Sequence, residues 1–379
     1  MMRKSHIARK KLLVCISVLM GSIALRASAH ASEAQAPLAK TAFDVAAAKE
    51  AVEKYASLLE EMYVYPEVGK AYAALLRKNL ASGRYSKFTS AEHLAEALPR
   101  DLAAVNPDLH LSVLPASVPM VGVFSKTAYT GGTCPEAGEQ LTRSIGKSGW
   151  LAPGVAYIEF CGFQGGDTNL QQLQKFLEAH ASAKTLIIDN RGNIGGAQEE
   201  MDLMFPHFYR SLVELLRFEM RAAVAAEDSN PLNADPRMKR LAAGATTQFA
   251  YFVEPDPRLK TALLDAKIYV LTSNATASAG EAATFALKDS RRAQIIGEVT
   301  QGAGHLGPTI PIGGGYRAFI PVARIFDADT GNGWEGKGVV PDVRVAAAQA
   351  LDIAAARAGI DAMAAKEAWR RLPSQQQSR

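Results

Sequence analysis

The sequence predicts a mixed α/β domain with a mostly parallel sheet, preceded by a small helical domain. Two patterns support this fold class. Apolar residues recur at helical spacing through residues 41–104. After Gly154, short apolar runs rich in β-branched residues alternate with helical segments; these runs are VAYIEF, TLIIDN, KIYVLTS and AQIIGEV. The composition, 48% hydrophobic and 21% charged over 379 residues, is that of a globular chain long enough for two domains.

Composition shifts along the chain predict five regions. A signal peptide, a helical domain and a Gly-, Pro- and Ser-rich strand/loop connection come first, followed by the α/β domain and a helical C-terminal tail. The expected ranges are 1–31, 32–113, 114–153, 154–348 and 349–379. Within the α/β domain, residues 222–247 have the composition of a polar, mobile insertion.

The first 31 residues have the pattern of a secretory signal. Six basic side chains and no acidic ones accompany an apolar run from Leu12 to Leu25, and small residues follow. About 14 apolar residues are too few for a spanning helix, which needs roughly 20. We expect cleavage near Ala29 or Ala31, export to the periplasm or the medium, and no membrane span in the mature protein.

The net charge does not indicate a nucleic-acid partner. The whole chain carries +4, but removing the basic start leaves 36 basic and 38 acidic side chains. A surface that tracks phosphates needs a basic surplus, and the body of this chain has none. We therefore do not expect this protein to bind a nucleic acid.

Two cysteines, Cys134 and Cys161, follow the predicted signal. An exported chain permits one disulfide between them, and the alternative is a buried thiol at Cys161, which lies in an apolar run. Two cysteines without a cluster of histidines do not make a zinc site. The sequence calls for no metal and no organic cofactor.

The segment KIYVLTSNATASAGEAATF predicts a strand, a tight turn and a helix that begins near Ser278. A serine hydroxyl there lies at the positive end of a helix, beside free backbone N–H groups. This arrangement suits a nucleophile whose tetrahedral product carries a negative oxygen. The alternative is that Ser278 is an ordinary helix N-cap.

A second segment, LIIDNRGNIGG, predicts a buried strand that ends at Asp189 and leads into a glycine-rich turn. Glycines there allow backbone N–H groups to approach a ligand closely. The alternative is a structural turn in which Asp189 and Arg191 form an ion pair. The spacing matches neither a dinucleotide fingerprint nor a P-loop, which disfavours nucleotide binding.

A nucleophilic serine needs a base, and two histidines are candidates. His110, in NPDLHLSV, and His305, in TQGAGHLG, both occur at predicted loops or strand edges. The alternating run around His110 predicts a more rigid platform than the glycines around His305 do. Glu335, beside Trp334 in a further glycine-rich turn, is a candidate orienting group.

Together these segments resemble the S41 family of serine peptidases, which includes carboxyl-terminal processing proteases and the tricorn protease. TASAGE resembles the nucleophile motif of the family, LIIDNRGNIGG its oxyanion segment, and WEGKGVVPDV the ending of its tricorn-like and retinoid-binding branch. The resemblance covers about residues 45–348. It implies a crotonase/ClpP-like α/β protease domain behind a small helical domain, and residues 114–153 are too few for a PDZ module.

The resemblance also implies roles for individual residues. Processing proteases carry a lysine base in a Gly-Lys-Gly turn, where this chain has Gly302-Ala303-Gly304. The tricorn branch instead uses a histidine from the preceding domain and a supporting glutamate. The implied roles are nucleophile for Ser278, general base for His110 with His305 as the alternative, orienting carboxylate for Glu335, and oxyanion donor for the backbone of Ala279 with Gly195 or Gly196.

Two functions compete on this sequence. The first is an exported serine peptidase that acts on a peptide or protein substrate through a Ser-His-Glu acyl-enzyme mechanism. The second is a binding module for a hydrophobic, retinoid-like ligand on the same fold. A pure binder has no use for the three polar residues at the motif positions, which favours the peptidase. Hydrolysis of another ester or amide uses the same machinery and stays open.

Overall fold

The region 41–104, which the periodicity predicts to be helical, contains three α-helices in its described part. The structure, a computed structural model, describes residues 43–118, 129–135, 141–259 and 261–374; the predicted signal peptide lies outside these ranges. Helices α1 (Val45–Met62), α2 (Pro66–Ala81) and α3 (Ala91–Ala103) follow one another. Ser90 is the N-cap of α3, and its side chain accepts a hydrogen bond from the His93 N–H.

Aromatic packing joins these helices. Tyr55 on α1 and Tyr72 on α2 are fully buried in the same apolar cluster. The ring of Tyr63, in the turn between the two helices, meets the Tyr72 ring edge-on with 5.0 Å between centroids. This packing places Tyr63 at the side of the helical region that faces the candidate site.

A six-stranded sheet forms the centre of the α/β region. Its strands are β2 (Ile145–Ala152), β3 (Val155–Phe160), β4 (Thr185–Asp189), β8 (Lys267–Thr272), β9 (Gln294–Gly297) and β14 (Val343–Arg344), in the order β14-β9-β8-β4-β3-β2. Every neighbouring pair is parallel except β2 with β3. The predicted mostly parallel sheet is confirmed, and its buried strands have the continuous apolar sequences that parallel sheets require.

Helices cover both faces of this sheet. They are α4 (Gly166–Ala179), α5 (Glu199–Met204), α7 (Ala279–Asp289), α8 (Ala347–Arg357) and α9 (Ala362–Arg371). Successive strand residues alternate between two cores: Ile158 and Ile188 belong to one, and Tyr157 and Ile187 belong to the other, beside α8. Where the sequence predicts one C-terminal helix, the structure has two, α8 and α9. They are separated at Gly359, whose φ of 79° suits the end of a helix.

Two smaller antiparallel sheets complete the fold. The five-stranded sheet has the order β10 (His305–Leu306), β13 (Ala323–Phe326), β5 (Val213–Arg221), β7 (Thr246–Val253), β6 (Met238–Ala243). The three-stranded sheet has the order β1 (Ser112–Pro115), β12 (Tyr316–Phe319), β11 (Thr309–Gly313). Because β1 follows the helical region directly and pairs with β12, this pairing ties residues 43–111 to the rest of the chain.

The stretch 222–247, expected to be a polar, mobile insertion, is folded structure. It forms helix α6 (Ala222–Ala225), a 3₁₀ turn at Pro231–Asn233 and strand β6, and it ends inside β7. Leu232 is buried, and Asn230 caps the 3₁₀ turn by accepting from the Leu232 N–H at 3.1 Å. None of the helices in the described ranges has both the length and the apolar character needed to cross a membrane.

Cys134 and Cys161 form a disulfide, which was one of the two alternatives that the sequence left open. The bond joins the segment 129–135 to the end of β3, and the two cysteines are 27 residues apart in sequence. A β-carbon built on Gly192 would lie 2.9 Å from the Cys134 sulfur. The bond therefore packs directly on the glycine-rich turn after β4.

Removing this disulfide should destabilise the fold. Closing a loop of this length reduces the entropy of the unfolded chain, so the Cys134→Ala/Cys161→Ala double variant should lose about 3–4 kcal/mol of unfolding free energy. Guanidinium titration of the oxidised wild type and the double variant measures the difference. Wild-type protein in reductant is the control, and its unfolding midpoint should match that of the variant. Equal midpoints for the oxidised wild type and the variant would contradict the expectation.

Candidate active site

Ser278 occupies a strained turn at the start of α7. Its φ of 50° and ψ of −121° lie in a region that non-glycine residues rarely adopt. Such strain costs on the order of 1–3 kcal/mol and persists only where the surroundings impose it. Here Thr276 donates its hydroxyl to the carbonyl of Asn190 at 2.7 Å, and the Ala277 N–H donates to the carbonyl of Asn193 at 2.9 Å. The loop after β4 therefore holds the serine turn in place.

The buried carboxylate of Glu281 holds the other side of this turn. It accepts the N–H of Ser278 at 3.0 Å, those of Gly302 and Ala303 at 2.6 and 2.8 Å, and the hydroxyl of Thr300 at 2.5 Å. Burial raises the pKa of Glu281 to about 7, although these donors oppose the shift. Glu281 thus joins the nucleophile turn to the segment that leads to His305.

His110 lies within hydrogen-bonding distance of Ser278. Its Nε2 is 3.2 Å from the serine Oγ, although 168 residues separate the two in sequence. The imidazole is stacked on the ring of Phe319 in β12, with 5.3 Å between centroids. Because His110 comes just before β1, which pairs with β12, the β1–β12 pairing holds the imidazole in place.

The environment of His110 keeps its imidazole neutral. Burial lowers the pKa of His110 to about 4; the negative charge of Asp108 raises it, and the charge of His305 lowers it further. A neutral imidazole at neutral pH can accept a proton from a serine hydroxyl.

His305 lies on β10 and contacts Asp108 instead of Ser278. Its Nδ1 is 2.9 Å from Asp108 Oδ2, and both side chains are almost completely buried. Burial alone would lower the pKa of His305, but the hydrogen bond and charge of Asp108 outweigh it and raise the pKa. In the structure, therefore, His110 contacts the Ser278 hydroxyl, whereas His305 contacts the Asp108 carboxylate.

Glu335 lies beside His305. Its Oε2 is 3.7 Å from His305 Nδ1 and accepts the Gly304 N–H at 2.6 Å. Burial raises the pKa of Glu335 to about 7. The family resemblance assigned Glu335 to His110, whereas these contacts connect it to the alternative histidine.

Asp108 was not predicted from the sequence. Its Oδ1 accepts the backbone N–H of His110 at 2.9 Å, and its Oδ2 accepts the hydroxyl of Tyr63 at 2.8 Å in addition to its contact with His305. The signal for the first contact was present in the sequence, because an aspartate commonly accepts from the N–H two residues later.

One group of side chains has distances compatible with a metal ion. A ligand atom from each of Asp108, His305 and Glu335 lies within 4.8 Å of the others. The hydrogen bond between His305 and Asp108 uses two of these atoms and accounts for their proximity without an ion.

The expected oxyanion donors surround Ser278 but are not equivalent. The Gly195 N–H donates to Asn193 Oδ1 at 3.0 Å and is therefore occupied. Among the described residues, no protein acceptor takes the N–H of Gly196 or of Ala279, the first residue of α7. The geometry therefore favours Gly196 and Ala279 over Gly195 as donors.

The alternative interpretation of Asp189 and Arg191 fits their contacts. They form a buried ion pair with 2.5 Å between Arg191 Nη2 and Asp189 Oδ2, and Arg191 Nη1 donates to the Ala347 carbonyl at 2.9 Å. The Tyr157 hydroxyl donates to Asp189 at 2.6 Å. These contacts hold the loop after β4 against α8.

A mostly apolar cavity of about 380 Å³ opens beside Ser278. Its lining includes Ala279 and His305, together with side chains from the five-stranded sheet and from the 222–247 stretch. Apolar lining residues include Leu216, Phe218, Leu232, Ile325 and Trp334. The stretch that was expected to be mobile is thus part of the wall of this cavity.

Comparison with known proteins gives two family matches. The model of peptidase family S41 matches residues 154–345, and the model of the N-terminal domain of S41 peptidases in eukaryotic IRBP matches residues 43–136. The 17 residues between the two segments are too few for a PDZ module.

Solved structures are similar to this chain, and two with TM-scores above 0.5, described first, share its fold. A lipoprotein from Streptococcus agalactiae matches with a TM-score of 0.55 and 14% identity over 82% of this chain and 96% of that chain. A CPAF mutant matches with a TM-score of 0.52 and 12% identity over 88% and 99%. A photosystem II D1 C-terminal processing protease matches with a TM-score of 0.48 and 16% identity over 79% and 93%.

Adding a methyl group at Gly195 should disable the site. A β-carbon there would lie 2.6 Å from Ser278 Cβ and 2.9 Å from the Ala279 nitrogen, and the φ of 91° disfavours any side chain. The clash should displace Ser278 and the Ala279 N–H, a favoured oxyanion donor. Gly195→Ala should therefore lower the rate of serine labelling by a fluorophosphonate at least about 100-fold, the effect of losing such a donor.

Gly83→Ala is the matched control. Gly83 also has a positive φ, of 73°, but has open space around it and lies in the helical region. The control should lose about 1 kcal/mol of stability and keep its labelling rate. Equal labelling of Gly195→Ala and wild type would show that the serine turn tolerates the methyl group.

Proposed function

The chain belongs to peptidase family S41 and is a serine-type peptidase, and we propose that it hydrolyses peptide bonds through an acyl-enzyme on Ser278. One observation carries the assignment of residues: the 3.2 Å contact between His110 Nε2 and the Oγ of a serine in a strained strand–turn–helix. This pairing of nucleophile and base is what acyl transfer requires.

The geometry supports the following sequence of steps. His110 Nε2 takes the Ser278 hydroxyl proton as Oγ attacks the substrate carbonyl carbon. The N–H groups of Ala279 and Gly196 stabilise the resulting oxyanion, and such donors contribute about 3 kcal/mol each. The imidazolium gives its proton to the leaving amine as the C–N bond breaks. Water then attacks the ester with His110 again as base, which regenerates the serine.

We keep Glu335 in this proposal as an orienting carboxylate, acting on His305 and the Gly304 turn. Its contacts with the His305 ring and the Gly304 N–H support that role. It would keep His305 and the adjacent wall of the cavity in place while His110 carries the proton.

Binding of a hydrophobic ligand is the second candidate, and the apolar cavity beside Ser278 favours it. The two functions predict different chemistry at the serine. A peptidase becomes covalently labelled by a fluorophosphonate at Ser278, whereas a pure binder takes up retinol without any such label.

We also propose that the enzyme is exported. The basic, apolar and small-residue pattern of residues 1–31 supports a secretory signal, and the Cys134–Cys161 disulfide suits an oxidising compartment. N-terminal sequencing of the mature protein should begin near His30 or Ser32. Mature protein that retains Met1 in the cytosol would contradict this expectation.

Ser278→Ala should abolish both fluorophosphonate labelling and peptide hydrolysis, because it removes the nucleophilic oxygen. Its stability should change by only about 1 kcal/mol, the usual effect of losing an N-cap side chain. Peptide mapping of the labelled wild type identifies the modified residue. Ser82→Ala, at an exposed helix end, is the control and should label normally. A Ser278→Ala protein with wild-type hydrolysis would remove the assignment.

His110→Ala should lower the labelling rate by several orders of magnitude, as the loss of a triad member does. His305→Ala should have a smaller effect on that rate and should mainly change substrate affinity, because His305 lines the cavity and does not contact Ser278. The opposite ranking would transfer the role of base to His305.

The pH profile provides an independent check on the base. His110 must be neutral to accept a proton, and its pKa is lowered to about 4. The labelling rate should therefore persist well below the ordinary histidine pKa of about 6.5 and fall as the pH approaches 4. A labelling rate that falls mainly near pH ~6.5 would instead indicate a base that is less buried than His110.

A further inference from the structure

Asp108 is a buried anion at the meeting point of the helical region and the α/β region. Its side chain is fully buried and receives hydrogen bonds from three groups: the Tyr63 hydroxyl, the His305 ring and the His110 backbone N–H. Burial alone would raise the pKa of Asp108, but the contact with His305 outweighs it and the pKa is lowered. The carboxylate therefore stays charged.

This charge lies close to the histidine that must become positive during acylation. When His110 accepts the serine proton, its imidazolium is buried beneath the Phe319 ring. A buried cation is costly unless a negative charge lies near it. Asp108 is the residue whose negative charge favours the protonated form of His110, whereas the carboxylate of Glu335 contacts His305 and Gly304.

We propose that Asp108, rather than Glu335, is the positioning residue for His110: its Oδ1 fixes the loop that carries the imidazole, and its charge stabilises the imidazolium. His305, bonded to Oδ2, holds Asp108 in place. This inference rests on the proposed function, because it assumes that His110 is the base.

His305 also gives the pair a pH dependence. A protonated His305 offsets the negative charge of Asp108. When His305 loses its proton, the Asp108 charge is no longer offset and favours the protonated form of His110 more strongly. Titratable and charged groups surround Asp108 and His305 on several elements. They are Tyr55 on α1, Tyr72 on α2, Tyr63 and Tyr65 in the turn between these helices, Arg324 on β13 with its partner Glu219 on β5, and Glu335 and His110 in loops. The labelling rate should therefore show a second, smaller rise with pH above about 6.5, where His305, with its raised pKa, loses its proton.

The experiment measures fluorophosphonate labelling of the full-length protein, separating the maximal inactivation rate from the inhibitor affinity. Asp108→Asn preserves the shape of the side chain and an oxygen for the His110 N–H, and it removes the charge. We expect its maximal rate to fall about 100-fold with affinity within about threefold. The rise above pH 6.5 should disappear. Glu335→Gln should lose less of the maximal rate than Asp108→Asn.

Asp101→Asn is the matched control. Asp101 also accepts a hydrogen bond from a tyrosine hydroxyl, that of Tyr85, within the helical region, and it has no part in the proposed machinery. Its labelling should equal that of wild type, and thermal unfolding confirms that each variant is folded.

Three outcomes would overturn the inference: wild-type labelling of folded Asp108→Asn, an equal loss in Asp101→Asn, or a larger loss in Glu335→Gln. A wild-type protein that is not labelled at Ser278 would instead contradict the proposed function, so the two failures are distinguishable.

Discussion

The buried carboxylate of Glu281 is the interaction on which the rest of the site depends. It accepts the N–H of Ser278 and the N–H groups of Gly302 and Ala303. The next residue, Gly304, donates to Glu335, and His305 follows on β10. One side chain thus sets the distance between the serine turn and the segment that carries His305. A buried carboxylate left without these donors would be costly, so moving either segment alone is energetically unfavourable.

The site contains a second buried carboxyl group, that of Asp108, and the two have different roles. Glu281 accepts hydrogen bonds mainly from backbone N–H groups around Ser278, whereas Asp108 accepts from the Tyr63 and His305 side chains and from the His110 backbone N–H. Their charge states differ for a physical reason. Glu281 is surrounded by neutral donors, so burial raises its pKa, whereas Asp108 faces a histidine that can be positive, and its pKa is lowered. A negative charge is thus kept near His110, which the proposed mechanism assigns as the general base.

Local sequence patterns predicted the parts of this fold that local interactions determine. The buried strands and the helical region 41–104 have characteristic periods, and the turn at Ser278 has a recognisable motif. The five-stranded sheet was missed because it pairs segments that are far apart, such as β5 with β13. The same limit applies at the site. Asp108 precedes His110 by two residues and could have been noticed, but its bond to His305 spans 197 residues. No local pattern predicts that contact, or the contact between Glu335 and His305.

The helical region and the loop after it contribute side chains to the candidate active site. It provides Tyr63, and the loop after it provides both Asp108 and His110, whereas Ser278 and His305 come from the α/β region. The β1–β12 pairing and the stacking of His110 on Phe319 hold the His110 ring at 3.2 Å from the Ser278 hydroxyl. Since positioning errors of about 1 Å lower rates severely, loosening this pairing should reduce catalysis before it reduces the stability of the six-stranded sheet. On the proposed mechanism, the constraint on residues 43–118 is therefore catalytic as much as structural.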